Sequence, residues 1–253
     1  MLPNRRRPLR SQHFFHNRQL VSRLVRQAQF GQTETVIEIG PGKGIITQEL
    51  LTVVRIVIGV EIDQKLCQRL KRQFADNPRL VLVGGNFLEY PLPQTPYHVF
   101  ANTPFEIEGK IIRKLLDGVN PPESAYLVTM KAVGERWCGA RHESEFAIAH
   151  KPWFEMAVIH RFHRSDFNPP PQVETVMIAI KKRAELLLPW TDRPAYQQLI
   201  RQGFGGGRRL EHNLKTVMAK PDLARICQKL GVSLSARPSD LSVEQWVGLY
   251  NSQ

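Results

Sequence analysis

Short apolar runs alternate with amphipathic stretches through the first half of the chain. Five apolar runs predict β-strands, at residues 35–38, 55–61, 80–83, 97–101 and 124–130. Apolar residues at helical spacing predict helices at residues 17–29, 45–51, 63–74 and 107–117. Strands that alternate with helices and are apolar throughout indicate an α/β fold with a doubly wound, largely parallel sheet.

The second half of the chain changes in character. Two further strands are predicted at residues 154–161 and 175–181, with a rigid proline-rich loop at 166–171 that is not expected to join a sheet. From about Leu186 the pattern becomes helical, with helices predicted at residues 193–202, 208–219, 222–230 and 239–251. We therefore expect three regions: a flexible basic arm at 1–12, an α/β domain at 13–184 and a small helical domain at 185–253.

The chain is strongly basic, with a formal net charge of +12. Residues 1–33 contain seven arginines and no Asp or Glu, and Arg208–Arg209 follow a turn of three glycines. A positive field of this kind favours a polyanionic partner, although a solvated tail is the simpler alternative for the first segment. The helical domain is accordingly expected to bind RNA, and the predicted phosphate contacts are Arg5, Arg6, Arg7, Arg10, Arg208 and Arg209.

Other classes of protein are disfavoured by the same sequence. It contains no apolar run of about 18 residues, so no membrane-spanning segment is expected. Cys67, Cys138 and Cys227 lie far apart and lack metal-ligand spacing, which favours a reduced, cytoplasmic protein without a metal site. We also expect a monomer.

A glycine-rich loop follows the first predicted strand of the sheet. Gly40, Gly42 and Gly44 allow the backbone to approach a ligand closely, and Glu61 ends the next strand, where a carboxylate can accept hydrogen bonds from ribose hydroxyls. The loop alone would also suit a dinucleotide site or a plain strand-to-helix turn, and Glu61 could be a surface acid. After the third strand, Asn86 could pair with an adenine edge, whereas Phe87 could flank the adenine or belong to the core.

A second motif, Asn102-Thr103-Pro104-Phe105, follows the fourth predicted strand. The Asn102 amide oxygen and the Thr103 carbonyl can both accept hydrogen bonds from an exocyclic NH2 group. Pro104 restricts Thr103 to an extended conformation, and Phe105 can stack on a flat base. Because ligands bind at the carboxyl ends of parallel strands, both motifs are expected to face one crevice, as a methyltransferase acting on an adenine amine requires.

These motifs resemble, in order and spacing, those of the rRNA adenine-N6 dimethyltransferases. The resemblance covers residues from about 8 to 215 and is carried by Ser11–Phe15, Glu38–Gly44, Glu61, Asn86–Leu88, Asn102–Phe105 and Phe167–Thr175. It implies a Rossmann-like class I methyltransferase domain with a small α-helical C-terminal domain. It also implies S-adenosyl-L-methionine as the cofactor and rRNA as the partner.

The resemblance implies a role for individual residues. Gln12 and His13 would cover the methionine end of the cofactor, Glu61 would hold its ribose and Asn86 its adenine. The implied cofactor-binding set is completed by Phe14, Glu38, Gly40, Gly42, Gly44, Ile62, Phe87 and Asn102. The implied catalytic set is Asn102, Thr103, Pro104 and Phe105, with Phe167 as a second aromatic face for the base.

Within the family, the chain looks more like the erythromycin-resistance branch, which methylates one adenine of 23S rRNA. The Arg-rich start and the short length favour that branch, whereas Gly207–Lys215 favours the branch that modifies 16S rRNA during ribosome maturation. Four positions depart from the family pattern: His13 replaces Asn, Asn86 replaces Asp, Phe105 replaces Tyr, and Glu106–Gly109 replaces an Asn-Ile-Ser/Thr sequence.

Three other functions stay open at this point. A non-catalytic RNA-binding relative is compatible with the changes at Asn86 and Glu106–Gly109. A dinucleotide-dependent oxidoreductase would use the glycine loop but has no use for Asn102–Phe105. A DNA adenine methyltransferase would use the same tetrapeptide, but Ser11–Phe14 and the helical C-terminal segment favour RNA.

Overall fold

The computed structural model describes residues 13–252, so the predicted arm at 1–12, with Arg5, Arg6, Arg7, Arg10 and Gln12, lies outside the described residues. The strands are β1 (Phe14–Phe15), β2 (Thr35–Ile39), β3 (Ile56–Glu61), β4 (Leu80–Gly84), β5 (His98–Asn102), β6 (Ser124–Met130), β7 (Phe154–Arg161), β8 (Phe167–Asn168) and β9 (Thr175–Lys182). The helices are α1 (Arg18–Gln27), α2 (Ile45–Val53), α3 (Gln64–Gln73), α4 (Glu108–Leu116), α5 (Lys131–Cys138), α6 (Glu145–His150), α7 (Arg193–Phe204), α8 (Leu210–Leu214), α9 (Lys220–Lys229) and α10 (Val243–Tyr250).

The main sheet has seven strands in the order β4-β3-β2-β5-β6-β9-β7. Strands β4, β3, β2, β5 and β6 are parallel neighbours, which confirms the predicted α/β fold with a largely parallel sheet. In the register around β2, Ile39 lies beside Val60 of β3 and Ala101 of β5. The residues that follow these three, Gly40, Glu61 and Asn102, therefore lie at one edge of the sheet.

Two compact units make up the chain. The first contains the chain through Lys131 together with Ile159–Ala179, and the second contains Ala132–Val158 and Ile180 onward. The first unit holds α1–α4 and the parallel part of the sheet. The second holds α6–α10 and most of α5. The division at residue 184 and the RNA-binding role of 185–253 stay predictions.

Helix α1 illustrates how the first unit is packed. Its N-cap Asn17 accepts a hydrogen bond from the Leu20 N–H, and the helix buries an apolar stripe of Leu20, Val21, Leu24 and Val25. Burial of each such side chain stabilises the fold by roughly 1.5–3 kcal/mol. Arg18 also binds the largely buried Glu49 of α2 at 2.6 Å, so α1 is fastened to the helix that follows the glycine loop.

One prediction about the proline-rich loop at 166–171 is wrong. Phe167–Asn168 form strand β8, which pairs antiparallel with Phe14–Phe15 of β1. The prolines begin only at Pro169, so Phe167 and Asn168 keep their backbone N–H groups and adopt the extended conformation that a following proline favours. Phe15 and Phe167 stack with ring centroids 4.6 Å apart, which fixes the segment before α1 against this loop.

The helical predictions for the second unit are correct in part. Helices α7, α9 and α10 occur close to the predicted positions, but the helix predicted at 208–219 is reduced to the five residues of α8. Asn213 of α8 donates hydrogen bonds from its side chain to the carbonyls of Gly203 and Gly207, which holds the glycine turn. Helices α5 and α6 were not predicted, because α6 has only six residues and α5 contains a glycine.

Three cysteines, Cys67, Cys138 and Cys227, are buried and unpaired. In residues 13–252, no helix is long and apolar enough to cross a membrane. Within the same residues, His, Cys, Asp and Glu side chains form no cluster of three or more that could hold a metal ion.

Glu38 fastens β2 to α2 below the glycine loop. The Thr47 hydroxyl donates a 2.6 Å hydrogen bond to Glu38 Oε2, while Oε1 is buried and has no hydrogen-bond partner in the described part of the chain. Burial raises the pKa of Glu38 to about 8, and the nearby Glu61 carboxylate acts in the same direction. Glu38 is therefore largely protonated at neutral pH.

The raised pKa of Glu38 predicts a pH dependence of stability. Because the folded protein holds this proton more tightly than the unfolded chain, the stabilisation is complete below the ordinary pKa of 4.5 and is lost as the pH rises through about 8. Glu38→Gln keeps an acceptor for Thr47 and removes the titration. The free energy of unfolding of wild type minus that of Glu38→Gln should fall by on the order of a few kcal/mol between pH 5 and pH 8.5.

Urea unfolding at a series of pH values measures this difference. Glu61 and all other titrating groups are common to both proteins and largely cancel. Parallel pH profiles for the two proteins would show that Glu38 does not titrate in this range.

Candidate functional site

A cleft lies at the carboxyl edge of β2, β3 and β5. Its lining consists of His13, Phe14, Gly40, Gly42, Glu61, Ile62, Asn102, Thr103, Pro104 and Phe105. The glycine loop and the Asn102–Phe105 motif, about sixty residues apart in sequence, thus face one cleft.

Glu61 is the buried acid of the cleft. Its Oε2 accepts a hydrogen bond from Gly42 N–H and its Oε1 accepts one from Asp63 N–H, both at 2.9 Å. Burial raises the pKa of Glu61 above its usual value, while these two N–H groups act in the opposite direction. Each carboxylate oxygen has a second lone pair, so the group can still accept hydrogen bonds from ligand hydroxyls.

The glycine loop leaves open space beside the sheet edge. A Cβ at Gly40 would meet no atom within 4 Å, so this backbone faces open volume at the cleft. Gly42 has a φ of +59°, and a Cβ there would lie 2.6 Å from the Phe14 ring. Glycine at position 42 is therefore required both by the backbone conformation and by the close approach of Phe14.

The Asn102 side chain is held in one orientation by the segment before α1. Its Nδ2 donates a 2.5 Å hydrogen bond to the carbonyl oxygen of His13. The His13 ring forms a 2.7 Å hydrogen bond through Nδ1 with the carbonyl oxygen of Pro169, which anchors the segment in turn. Because the amide nitrogen is used in this way, Oδ1 is the atom of Asn102 left to accept a hydrogen bond.

Thr103 is fixed by β6. Its backbone N–H and its hydroxyl both donate to the carbonyl oxygen of Val128, at 3.2 Å and 2.5 Å. The Thr103 carbonyl accepts none of the hydrogen bonds formed within residues 13–252. Phe105 is half-buried at the cleft, with its ring centroid 5.7 Å from that of His13.

The two acids that follow Phe105 have different environments. Glu106 is exposed, whereas Glu108 is buried and accepts hydrogen bonds from the Thr129 hydroxyl and the Met130 N–H. Glu108 therefore joins the start of α4 to the end of β6. Of the two acids in this departure from the family pattern, only Glu106 adds exposed negative charge.

Five other predicted residues do not line this cleft. Gly44 begins α2 with a φ of +84°, and Glu38 and Phe87 are buried. Asn86 organises a turn: its side chain accepts from Leu88 N–H at 3.0 Å and donates to Glu89 at 2.9 Å. Phe167 is 2% exposed and packs between Phe15 and Phe162, so a stacking role would require its ring to leave the core.

Sequence reasoning missed Lys114 of α4. Its Nζ donates to the carbonyls of Leu88 and Tyr90, at 3.0 Å and 2.5 Å, and lies over the Phe87 ring. Lys114 thereby connects α4, which begins just after Phe105, to the Asn86 turn. A lysine in an amphipathic helix gives no signal that distinguishes it from a solvent-exposed one.

Arg208 and Arg209 lie in the second unit. Both are exposed and line a concave surface with His212, Lys215 and Lys220. Glu211 is the acid of this surface, and it forms an ion pair with Lys220 at 3.1 Å. The predicted RNA contacts of Arg208 and Arg209 are therefore compatible with their exposure and basic surroundings.

Two solved structures resemble the chain over nearly its whole length. The 23S rRNA methyltransferase ErmE is 25% identical, has a TM-score of 0.86 and matches 94% of this chain and 98% of its own. A dimethyladenosine transferase from Plasmodium falciparum, 22% identical, has a TM-score of 0.77 over 94% of this chain and 96% of its own. The predicted Rossmann-like methyltransferase fold is confirmed.

Sequence comparison gives the family. A relative from Nostoc sp., ribosomal RNA small subunit methyltransferase A, is 31% identical over 98% of this chain and 97% of its own length. A protein of the same name from Synechococcus sp. is 33% identical over 94% of this chain and 89% of its own length. The family model for ribosomal RNA adenine dimethylase matches residues 4–253. The prediction of an rRNA adenine methyltransferase is confirmed, and the chain belongs to the ribosomal RNA adenine dimethylase family.

Proposed function

We propose that the chain methylates N6 of an adenine in small-subunit rRNA, with S-adenosyl-L-methionine as the methyl donor. The observation that carries this proposal is that Asn102 and Thr103, whose positions are fixed by hydrogen bonds of the fold, line the cleft that also holds Gly40 and Glu61, so that the Asn102 amide oxygen and the Thr103 carbonyl can serve as two acceptors. One cleft thus offers a site for an amino group beside a site for a nucleoside. We also propose that the protein acts in the cytoplasm as a monomer.

The cleft fits the proposed cofactor. Glu61 offers a buried carboxylate for ribose hydroxyls, Gly40 leaves open space beside its backbone, and Ile62 offers an apolar surface at the same edge. Asn86 lies outside the cleft lining, in the turn after β4, and its amide oxygen already accepts from Leu88 N–H; the second lone pair of that oxygen would accept from the adenine amino group. When bound, the cofactor supplies a methyl group on a positively charged sulfur.

Asn102 and Thr103 would activate the target amine. The nitrogen lone pair of an adenine amine is delocalised into the ring, so the amine is a poor nucleophile. Two acceptors that bind its two hydrogens favour a tetrahedral nitrogen and return the lone pair to it. Because both acceptors are held by hydrogen bonds of the fold, this is positioning and electrostatic stabilisation without a strong general base.

Phe105 would hold the base in the cleft. A base in a paired or stacked RNA must leave its stack to reach Asn102, at a cost of a few kcal/mol. Stacking on an aromatic ring returns roughly 1–3 kcal/mol per base. Phe105 is placed for this at the cleft, whereas Phe167 lies in the core.

The small-subunit target is favoured by the sequence relatives. Proteins named small subunit methyltransferase A match the chain along almost its entire length at 31–33% identity. The large-subunit target, with its resistance role, is the second candidate, and it is supported by the 0.86 TM-score of ErmE at 25% identity. The segment Gly207–Lys215, which favours the maturation branch, agrees with the first candidate.

Label transfer distinguishes these targets. Purified protein would be incubated with radiolabelled S-adenosyl-L-methionine and with deproteinised 16S rRNA, deproteinised 23S rRNA and small-subunit particles in parallel. We expect methylated adenine in the small-subunit RNA or its particle. Label in 23S rRNA alone would support the resistance role, and no label with normal cofactor binding would support a non-catalytic RNA-binding protein.

Removal of the Asn102 amide tests the mechanism. Asn102→Ala should lower kcat by about 10²–10³-fold, because one preorganised polar group at the reacting amine is lost. The cofactor Kd measured by calorimetry should stay close to that of wild type. Asn77→Ala, which removes only a local hydrogen bond to Arg79 N–H, is the matched control. An Asn102→Ala enzyme with normal kcat would refute the assignment.

The stacking role of Phe105 predicts a difference between two substitutions. Phe105→Ala should raise the KM for RNA about tenfold, as expected from the loss of one base–aromatic stack. Phe105→Tyr keeps the ring and should retain near wild-type activity. Steady-state methylation assays, with the rRNA that accepts label as the substrate, measure the KM and the activity of both variants. Equal losses of activity in the two variants would argue against stacking.

A further inference from the structure

The outer face of α1 forms a basic groove in the first unit. The groove is lined by Asn17, Gln19, Ser22, Arg23 and Arg26. The opposite face of α1 is the buried apolar stripe, so these polar side chains are directed outward. All five lining residues can donate hydrogen bonds, and none carries a negative charge.

The two groove arginines are available to a ligand. Arg18, on the same helix, is engaged by Glu49 at 2.6 Å. Arg23 and Arg26 are exposed, and neither forms an ion pair with a carboxylate of residues 13–252. Residues three apart on a helix are neighbours on its surface, so the two guanidinium groups can act on adjacent parts of one ligand.

The groove lies close to the cleft along the chain. His13 and Phe14 line the cleft, and α1 begins at Arg18 with Asn17 as its N-cap. With a rise of about 1.5 Å per residue, Arg23 and Arg26 lie roughly 9 Å and 14 Å along the helix axis from Asn17. A chain-like ligand that enters the cleft at His13 could therefore continue along α1.

We propose that the α1 groove binds the sugar–phosphate backbone of the substrate RNA beside the nucleotide that enters the cleft. Exposed guanidinium groups bind phosphate oxygens with charge-assisted hydrogen bonds, and Asn, Gln and Ser side chains add neutral donors for phosphate or 2′-hydroxyl oxygens. Two guanidinium groups and three neutral donors on one face of a helix suit a continuous backbone better than a single small anion. This inference rests on the proposed function because the RNA is the same substrate.

The chain provides a matched control on α3. Arg69 and Arg72 have the same three-residue spacing, are exposed, and form no ion pair within residues 13–252. Helix α3 also carries Lys65 and Lys71 and follows the cleft residues Glu61 and Ile62, so its arginine pair resembles that of α1 in charge and in its position along the chain from the cleft. Loss of this pair changes the net charge by the same amount as loss of Arg23 and Arg26.

The experiment compares Arg23→Gln/Arg26→Gln with Arg69→Gln/Arg72→Gln. Affinity for deproteinised 16S and 23S rRNA would be measured by filter binding between 50 and 300 mM KCl. We expect the α1 variant to lose about tenfold in affinity at low salt and to reduce the slope of log K against log salt by about 1.5, as two lost phosphate contacts predict. The α3 variant should stay within about twofold of wild type, and cofactor Kd and Tm should be unchanged in both.

Three results would overturn the proposal that the α1 groove binds RNA. If the α1 variant keeps the wild-type affinity and salt slope, Arg23 and Arg26 do not contact RNA phosphates. If both variants lose affinity equally, only the net charge of the protein matters. If the wild type binds no rRNA, RNA is not the ligand of the groove. Failure of the proposed function is a separate result: wild type binds rRNA but transfers no methyl group. In that case the comparison of the α1 variant with the α3 variant still tests whether the α1 groove binds RNA.

Discussion

The register of three parallel strands brings the glycine loop, Glu61 and Asn102 to the cleft. Ile39 of β2 lies between Val60 of β3 and Ala101 of β5, so the next residue of each strand reaches the same edge of the sheet. A shift of one residue in either pairing would turn Glu61 or Asn102 toward the other face, because side chains alternate along a strand. The largely buried strands β2 and β5 oppose such a shift, since it would misplace their buried side chains.

A second constraint acts on the orientation of Asn102. The register brings Asn102 to the cleft, but the His13 carbonyl decides which end of its amide is used by the fold. His13 is in turn held by Pro169, and the following Phe14–Phe15 pair with Phe167–Asn168. The prolines at 169–171 thus contribute to the site indirectly, by fixing the segment that orients the Asn102 amide.

Much of the candidate site could be predicted because the positions of its residues follow from short sequence patterns. Gly42, Glu61 and Asn102 end or follow apolar strands, and that placement is visible in the sequence. Phe167 could not be placed in the same way, because stacking on Phe15 depends on the pairing of two-residue strands 150 residues apart. The burial of Glu108 could not be predicted for a related reason: its partners, Thr129 and Met130, lie on β6, whereas Glu108 begins α4. Lys114 follows the same rule, since only tertiary structure shows which lysine is engaged.

Exposed positive charge and buried acidic side chains lie in different parts of the structure. Basic side chains are exposed on α1 and around Arg208, whereas the acids near the glycine loop are buried. Burial raises the pKa of Glu38 to about 8, so this residue fastens β2 to α2 at neutral pH without placing a second full negative charge beside Glu61. The glycine loop therefore adds little negative charge that would repel a polyanion, and under the proposed function Glu61 would face a cofactor that carries positive charge. Deprotonation of Glu38 at higher pH would place two buried carboxylates close together, and their charges would repel. Burial of Glu38 therefore lowers the stability of the folded protein as the pH rises through the pKa of this residue.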